Sequence, residues 1–332
     1  MENNVRPSYM QPEEIIKAEN LKKYYTVGGS GFFAPKSKTL HALDGVDITI
    51  HKGEIFGVVG ESGCGKSTLG RCLLRLVAPS AGKITFCGED ITAYSRAQMK
   101  DKRKEMQMIF QNPFSSFNPK MRIGQSLYEV GGVHNLNKQQ TGEKIEELLE
   151  YISLPKDVLN RMPSELSGGQ LQRLAIARAL LLSPNFIVAD EPVSALDVSV
   201  QAQILNLIMD LRKKFQMTML FISHEMTVVE HICDTVAVMY LGQVLETAPT
   251  DELFANILHP YTISLMSAIP KADPELIPNR IVLEGDLPNA MEIPSGCRFA
   301  SRCVSCKDIC LKQQPTLHKV AGKEHFVACH FV

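Results

Sequence analysis

The stretch GESGCGKST, residues 60–68, constrains the fold of this chain more than any other feature. It fits the pattern G-x-x-x-x-G-K-[ST], follows the apolar run EIFGVVG (54–60) and opens the helical pattern STLGRCLLRL. Glycines let such a loop wrap so that backbone N–H groups point at phosphate oxygens, and the helix N-terminus adds partial positive charge. Lys66 can neutralise phosphate charge and the Ser67 hydroxyl can bind Mg²⁺, so the stretch predicts a nucleotide site.

A second apolar run ends in two acids. FIVADEP (186–192) places Asp190 and Glu191 at the end of a predicted strand, where the ligands of α/β proteins bind. We expect Asp190 to hold Mg²⁺ through its water shell and Glu191 to accept the proton of an attacking water. The alternative is that both acids cap the helix that follows.

Five short apolar runs do not alternate with polar residues, which is typical of strands that are covered on both faces. The runs are EIFGVVG, MQMIF (106–110), NFIVAD (185–190), TMLFIS (218–223) and TVAVMYLG (235–242). Helical patterns such as residues 199–215 lie between them, and this alternation predicts an α/β core with a mostly parallel sheet and helices on both faces.

The remaining segments predict three additions to this core. Residues 15–50 have shorter strand signals around a loop rich in Gly, Ser and Lys at 26–38, which indicates a small antiparallel β layer. Residues 113–165 are mostly helical and predict an inserted helical subdomain. Prolines become frequent after residue 255, so we expect a nucleotide-binding domain over residues 1–255 and an irregular C-terminal extension over 256–332.

Composition and charge indicate the partners and the cellular compartment that we expect for this chain. The net charge of -1 gives no sign of a nucleic-acid partner. The N-terminus is polar, and no apolar run reaches the roughly 18 residues of a membrane span. We therefore expect a soluble, intracellular protein that meets a membrane only through partners. Nine cysteines, an odd number, are poor disulfide candidates in that reducing compartment.

The stretch LSGGQ, residues 166–170, precedes the helical pattern LQRLAIARALL. Ser167 and Gln170 have the spacing of a capping box, which predicts a helix N-terminus that can bind an anion. The chain's own phosphate loop already serves its own nucleotide. A second anion-binding end therefore suggests the ATP of a partner, in a head-to-tail dimer.

Over residues 15–255 the sequence resembles the ATP-binding subunit of an ABC transporter. Five motifs carry the resemblance: the phosphate loop, Gln111 in IFQNP, the LSGGQ signature, VADEP (188–192) with SALD (194–197), and His224 in ISHE. Tyr25 stands at the family's adenine-stacking position, although it could also be a core tyrosine beside Tyr24. Glu225 departs from the family pattern, which often has Asp after the histidine.

The resemblance implies a role for each matching residue. Glu191, His224 and Gln111 would act in hydrolysis, and Gln111 would also sense the transmembrane subunit. The ATP-binding residues would be Tyr25, Gly60, Ser62, Gly63, Cys64, Gly65, Lys66, Ser67, Thr68 and Asp190. Mg²⁺ would be held by Ser67, Gln111 and Asp190. The residues facing the partner's nucleotide or the dimer interface would be Ser167, Gly168, Gly169, Gln170 and Asp197.

Two segments of the C-terminal tail restrict the resemblance to one subfamily of ABC transporters. HPYTISLMSAIP (259–270) and PSGCRFASRC (294–303) resemble the C-terminal region of the oligopeptide/dipeptide importer subfamily, which includes nickel importers. This implies peptide uptake powered at the cytoplasmic face of a membrane. The implied partners are a second, homologous ATPase subunit, two permease subunits and an external substrate-binding protein. Nickel as cargo, or a soluble ABC ATPase without a transport role, are the alternatives.

Five cysteines crowd the last 36 residues, and in this subfamily four of them can hold an iron–sulfur cluster. The positions matching the subfamily are Cys297, Cys303, Cys310 and Cys329, the number of thiolates that a [4Fe–4S] cluster takes. Cys306 departs from the pattern and, if a helix carries Cys303, Cys306 and Cys310 on one face, could compete as a ligand. A zinc site using the C-x₂-C pair 303–306 with His318, His325 or His330, and free thiols packed as apolar residues, are the alternatives.

Overall fold

The computed structural model describes residues 13–28, 37–269 and 289–332. The strands in these ranges are β1 (Glu14–Val27), β2 (Lys38–His51), β3 (Ile55–Val59), β4 (Ala81–Phe86), β5 (Glu89–Asp90), β6 (Met106–Ile109), β7 (Phe186–Asp190), β8 (Met219–Ile222), β9 (Thr235–Tyr240), β10 (Gln243–Pro249), β11 (His318–Lys319) and β12 (Phe326–Val327). The α-helices are α1 (Lys66–Leu73), α2 (Arg96–Lys102), α3 (Ile123–Val133), α4 (Lys138–Tyr151), α5 (Gly168–Leu180), α6 (Val198–Phe215), α7 (Met226–Ile232), α8 (Thr250–Ala255), α9 (Pro260–Ser267) and α10 (Asp308–Lys312).

The larger sheet has the strand order β11-β12-β10-β9-β3-β8-β7-β6. Its five strands from β9 to β6 pair in parallel, and they are the five apolar runs of the sequence. Alternate residues of β3 belong to two different hydrophobic clusters: Ile55 lies in one, and Phe56 and Val58 lie in the other. The predicted parallel core, covered on both faces, is confirmed, and antiparallel pairing of β10 with β9 and β12 makes the whole sheet mixed.

The smaller sheet is antiparallel, with the order β2-β1-β4-β5, and confirms the predicted β layer. Its apolar residues Ile16 and Leu43 share one hydrophobic cluster with Leu69 and Leu73 of α1 and with Phe56 of β3. Helix α1 therefore lies between the two sheets. Strands β1 and β2 are longer than the sequence signals indicate and take up both ends of the predicted loop; residues 29–36 of that loop lie outside the described residues.

The segment predicted as a helical subdomain contains α3, α4 and three short 3₁₀ helices, at Pro113–Ser116, Lys156–Asn160 and Pro163–Glu165. Its buried side chains, including Leu127 and Leu149, pack into the same cluster as those of α5. The helical content agrees with the sequence pattern. The subdomain boundary, like the domain boundary at residue 255, stays a prediction.

The tail shares its core with the rest of the chain. Strand β12 pairs with β10 at Glu246↔Val327, and Phe299 and Cys310 belong to the cluster that contains Ile55 of the central sheet. The predicted resemblance segment 259–270 contains α9, and its last residue lies outside the described residues. Among the helices described, none combines the length and the apolar character that a membrane crossing requires.

Candidate functional site

The phosphate loop lies between the end of β3 and the start of α1, where the sequence predicts it. Lys66 is the first residue of α1 and is 5% exposed. Its ammonium donates hydrogen bonds to the backbone oxygens of Gly60 at 2.7 Å and Glu61 at 3.0 Å. The loop's own carbonyls thus hold the amine beside a helix N-terminus, where negative charge is favoured.

Two glycines of this loop lie against the backbone of neighbouring strands. A Cβ on Gly60 (φ +151°) would be 2.1 Å from the oxygen of Met239 in β9. A Cβ on Gly65 (φ +109°) would be 2.3 Å from the oxygen of Ala42 in β2. Since both contacts are with backbone atoms, no side-chain rotation relieves them. Close packing, and not only a turn conformation, therefore requires these two glycines.

The two acids of FIVADEP have different surroundings. Asp190, at the end of β7, is 4% exposed and accepts a hydrogen bond from Ser67 Oγ at 2.7 Å. Burial raises the pKa of Asp190, and the bond from Ser67 partly offsets that effect. Neither Asp190 nor Glu191 caps the next helix, because Asp197 is the N-cap residue of α6. The capping alternative is therefore wrong.

Two residues from different loops, Gln111 and His224, meet at the carboxylate of Glu191. Gln111 Nε2 donates a hydrogen bond to Glu191 Oε2 at 2.9 Å, and His224 Nδ1 lies 3.4 Å from the same oxygen. Gln111 follows β6 and His224 follows β8, the two neighbours of β7. The carboxyl ends of parallel strands meet at one edge of a sheet, and this brings the three predicted residues together.

A cavity of about 300 Å³ opens above the phosphate loop. Its lining contains Tyr25, Leu40, Ala42, Ser62, Gly63, Gly65, Lys66, Ser67, Thr68, Gln111, Glu191 and Ala290. Tyr25 lies on the cavity wall, whereas Tyr24 donates a hydrogen bond to Asp44 and packs on the His41 ring at 4.4 Å. Of the two tyrosines considered, the structure therefore places Tyr25 where a base could stack.

The side chains of two predicted binding residues, Cys64 and Asp190, do not line the cavity. Cys64 is 2% exposed, and burial raises the pKa of its thiol. Only its backbone is therefore available to a phosphate. Asp190 contacts the cavity through Ser67. The phosphate loop, Glu191, Gln111 and Tyr25 thus line one cavity, with Asp190 behind Ser67, and this arrangement agrees with the family resemblance.

The LSGGQ residues lie apart from this cavity. Ser167 is the N-cap residue of α5, and its hydroxyl accepts a bond from Gln170 N at 3.3 Å while Gln170 Oε1 accepts one from Ser167 N at 3.0 Å. The predicted capping box is confirmed. A Cβ on Gly169 would be 2.6 Å from Val200 Cγ1, so α5 and α6 pack closely there. Asp197 is exposed, and no side-chain bond of its own caps α6.

Four of the five tail cysteines converge on one cavity of about 230 Å³. They are Cys297, Cys303, Cys310 and Cys329, while Cys306 is absent from its lining. Burial, with the three neighbouring thiols adding to it, raises the pKa of Cys297 to about 11. Among the described residues, no group of three or more His, Cys, Asp or Glu side chains is arranged to hold a metal ion. All nine cysteines are free thiols.

The helical arrangement considered for Cys303, Cys306 and Cys310 is wrong. Cys306 N donates to Cys303 O at 3.1 Å in a turn, and α10 begins only at Asp308. The histidines considered for zinc also have other partners. His325 Nε2 is 2.8 Å from Glu246 Oε1 in the interior, and His330 Nε2 is 2.9 Å from the oxygen of Gln313. His318 bonds the oxygens of two backbone groups, those of residues 316 and 332.

Some residues of the nucleotide cavity could not be found from the motifs. Leu40 and Ala42 of β2 and Ala290 of the tail line it beside Tyr25. The Ala290 oxygen also accepts a hydrogen bond from His41 N at 3.0 Å. An alanine after a proline-rich stretch carries no sequence signal. Its position depends on how the tail folds back over β2.

Comparison with known proteins gives a consistent result. Residues 43–194 match the family described as ABC transporter, and residues 245–310 match the family described as oligopeptide/dipeptide transporter, C-terminal region. The oligopeptide transport ATP-binding protein AppF of Bacillus subtilis is 47% identical over 322 residues, which is 96% of this chain and 97% of AppF.

Solved structures agree on the fold. CbiO1 of Clostridium perfringens, part of an ABC transporter complex, superposes with a TM-score of 0.63 at 28% identity, over 74% of this chain and 92% of that chain. The ATP-binding cassette MJ0796, in a dimeric post-hydrolysis state with ADP and Pi, superposes with a TM-score of 0.62 at 25% identity, over 71% of this chain and 99% of that chain.

Proposed function

The chain belongs to the ABC transporter ATP-binding family and carries the C-terminal region of its oligopeptide/dipeptide branch; on this premise we propose that it hydrolyses ATP to power peptide uptake. One observation carries the proposal. The phosphate loop, Asp190, Glu191, Gln111 and His224 lie close together on one chain, while the capped LSGGQ helix lies apart from them.

At this site Lys66 would bind the β/γ-phosphates, and the loop N–H groups and the α1 N-terminus would hold their oxygens. Ser67 and Asp190 offer adjacent oxygen atoms of the kind that Mg²⁺ prefers, and Gln111 lies within reach of the same cavity. Bound Mg²⁺ would supply charge neutralisation between phosphate oxygens. Tyr25 would stack on the adenine. Ser62, Gly63, Cys64 and Thr68 would contribute through the loop and the first helical turn.

Glu191 would accept the proton of the attacking water, since its carboxylate lies at the cavity and is oriented by two neighbours. Gln111 donates to it directly, and His224 contacts the same oxygen. Gln111 would also transmit the state of the site to the permease through the helical subdomain. A general base of this kind contributes about 10²–10⁴-fold in rate.

Ser167, Gly168, Gly169 and Gln170 would complete the site of a second ATPase subunit, with Asp197 at the interface. Support comes from the separation of the signature helix from the chain's own cavity, and from the dimeric state of the cassette MJ0796. We propose a homologous subunit as the partner, so that the pair is a heterodimer. ATP would close the dimer and hydrolysis would reopen it, which shifts a conformational equilibrium.

Glu191→Gln tests the hydrolytic role. The variant should bind ATP with unchanged affinity and lose hydrolysis by about 10²-fold or more, because an amide cannot accept the proton. Glu225→Gln is the matched control, since Glu225 Oε1 lies 3.8 Å from His224 and its removal leaves the Glu191 contacts intact. Near-normal turnover of Glu191→Gln would remove Glu191 from the role of base.

Peptides are the cargo that the C-terminal region and the name of AppF favour. We propose that two permease subunits hold the chain at the cytoplasmic face of the membrane and that an external binding protein supplies the peptide. Purification of the membrane complex, with identification of what its binding protein retains, tests this. Retention of nickel in place of peptides would support the nickel alternative. Co-purification with ribosomes, without a permease, would support a soluble ABC ATPase.

We also propose a [4Fe–4S] cluster as the occupant of the cysteine cavity, held by Cys297, Cys303, Cys310 and Cys329. Support comes from the fact that these four thiols, and not Cys306, line the cavity. A cluster is larger than one ion, takes four thiolates and would cross-link the tail.

Anaerobic purification followed by iron, sulfide and zinc assays tests the cluster. Iron and sulfide should co-purify with the wild type and with Cys306→Ser, and Cys297→Ser should lose them. Stoichiometric zinc without iron would establish the zinc alternative. Protein free of both metals would leave the cysteines as packed thiols.

A further inference from the structure

The tail makes a direct ionic contact with the phosphate loop. Arg302, in the segment between Cys297 and Cys303, contacts both carboxylate oxygens of Glu61: NH1 lies 2.7 Å from Oε2 and NH2 lies 3.1 Å from Oε1. The side chains are 8% and 21% exposed, respectively. Arg302 NH1 also lies 3.5 Å from the Tyr240 hydroxyl. A bidentate pair that is largely shielded from water is stronger and more directional than a surface ion pair.

Glu61 is the second residue of the loop, and its backbone links the tail to Lys66. Its N–H donates to the Tyr261 hydroxyl of α9 at 2.9 Å. Its carbonyl oxygen accepts from Lys66 Nζ at 3.0 Å and from Cys64 N at 3.3 Å. The tail thus binds Glu61 through the Glu61 side chain and N–H, and the Glu61 carbonyl oxygen in turn binds the ammonium of Lys66.

The contact belongs to a wider junction between the tail and the site. Arg298, whose side chain is 1% exposed, bonds the Leu241 oxygen and the Asp44 carboxylate. Ala290 lines the nucleotide cavity itself. Arg298 therefore anchors this segment to β2 and to the residue after β9 just before Arg302, which favours Arg302 as the residue that orients Glu61.

We propose that Arg302 is a positioning residue for ATP binding, which acts by holding Glu61 and, through the Glu61 carbonyl, the Lys66 ammonium at the phosphate site. This inference rests on the proposed ATPase function. Without the pair, the loop loses its outer support, and Lys66 and the N–H groups must be ordered by the nucleotide itself. That ordering lowers affinity for ATP and leaves the chemical step at Glu191 unchanged.

The experiment compares Arg302→Ala, Arg302→Lys and Glu61→Gln in the full chain by calorimetric ATP binding and steady-state hydrolysis. Arg302→Ala should raise Kd and KM for ATP by about tenfold with kcat kept within about twofold. Arg302→Lys carries one point charge and cannot contact both carboxylate oxygens of Glu61. Its Kd and KM for ATP should therefore lie between those of the wild type and those of Arg302→Ala. The double variant Arg302→Ala with Glu61→Gln should bind ATP no more weakly than the weaker-binding single variant, because each single substitution already removes the same ion pair.

Lys323→Ala is the matched control. It breaks the ion pair between the tail and Glu252 of α8, 2.5 Å long, which has no contact with the loop. KM should stay at the wild-type value. Equal rises in KM for Lys323→Ala and Arg302→Ala, additive effects in the double variant, or an unchanged KM for Arg302→Ala would each overturn the proposal. If Arg302→Ala does not fold, the KM values of Arg302→Lys and Glu61→Gln for ATP test the proposal in its place. Wild-type protein that binds no ATP would instead refute the proposed function.

Discussion

Gly65 offers a test of how closely the phosphate loop is built against its neighbours. It is the N-cap residue of α1, and its φ of +109° lies in a region that side chains rarely adopt. A Cβ there would stand 2.3 Å from the Ala42 oxygen and 3.3 Å from Leu43 Cδ2. In Gly65→Ala the leucine can rotate, but the backbone oxygen belongs to β2, which pairs with β1. The loop must therefore move.

The size of the effect follows from these distances. Relieving a 2.3 Å contact requires the loop to shift by about 1 Å, which is roughly twice the width of the normal range of N–H···O distances. Loss of one charge-assisted bond to phosphate, worth about 1.5–3 kcal/mol, weakens ATP binding by roughly 10- to 10²-fold. Backbone strain adds about 1–3 kcal/mol to the destabilisation of the fold.

Calorimetric ATP binding and thermal unfolding measure the two effects separately. Gly53→Ala is the matched control: Gly53 also has a positive φ of +72°, but a Cβ there meets nothing within 4 Å. It should lower the unfolding temperature slightly and leave the Kd for ATP unchanged. If Gly65→Ala binds ATP within about threefold of the wild type, the close approach of β2 does not shape the loop, and the reasoning is wrong.

Two further predictions concern the cap of α5 and the interior of the tail. Ser167→Ala removes the hydroxyl that accepts a hydrogen bond from Gln170 N, and it should lower the free energy of unfolding in urea by about 1 kcal/mol. Ser167→Asn can still cap the helix and should lower it by less. Burial lowers the pKa of His259 to about 4 from 6.5, so the folded state requires the neutral ring. The contribution of the neutral ring to stability should be complete above about pH 7.5 and fall by about 2 kcal/mol as the pH drops from there to 5. His259→Asn can still accept from Tyr261 N and should remove that share of the pH dependence; an unchanged slope would exclude His259 as its source.

The parts of the site that the sequence predicts are those encoded by contiguous residues. The phosphate loop, the acids after β7 and the capping box of Ser167 each depend on local geometry, and each forms as expected. Gln111 and His224 are separated in sequence, but each follows an apolar run that becomes a parallel strand. Because parallel strands end at one edge of the sheet, these positions agree with the shared role at Glu191 that the family resemblance implies.

The tail could not be predicted in the same way. Arg302 and Glu61 are 241 positions apart, and neither stands in a pattern that requires a partner. The spacing of Cys303, Cys306 and Cys310 suggests a helical face, but α10 is only five residues long and leaves the first two in a turn. Short irregular segments obtain their conformation from the surface they pack on, so periodicity within them has little meaning.

Composition changes after residue 255, but side-chain contacts continue across that position. The carboxylate of Glu246 in β10 is fully buried, and the three hydrogen-bond partners that the described residues supply to it all lie beyond residue 255: the N–H groups of Leu258 and His259 and the ring of His325. Breaking a buried ionic group's bonds by removing its partners costs more than the bonds contribute. The tail therefore completes the interior on which the central sheet depends. A segment with that structural role is fixed relative to the phosphate loop, which is the condition that Arg302 needs in order to position Glu61.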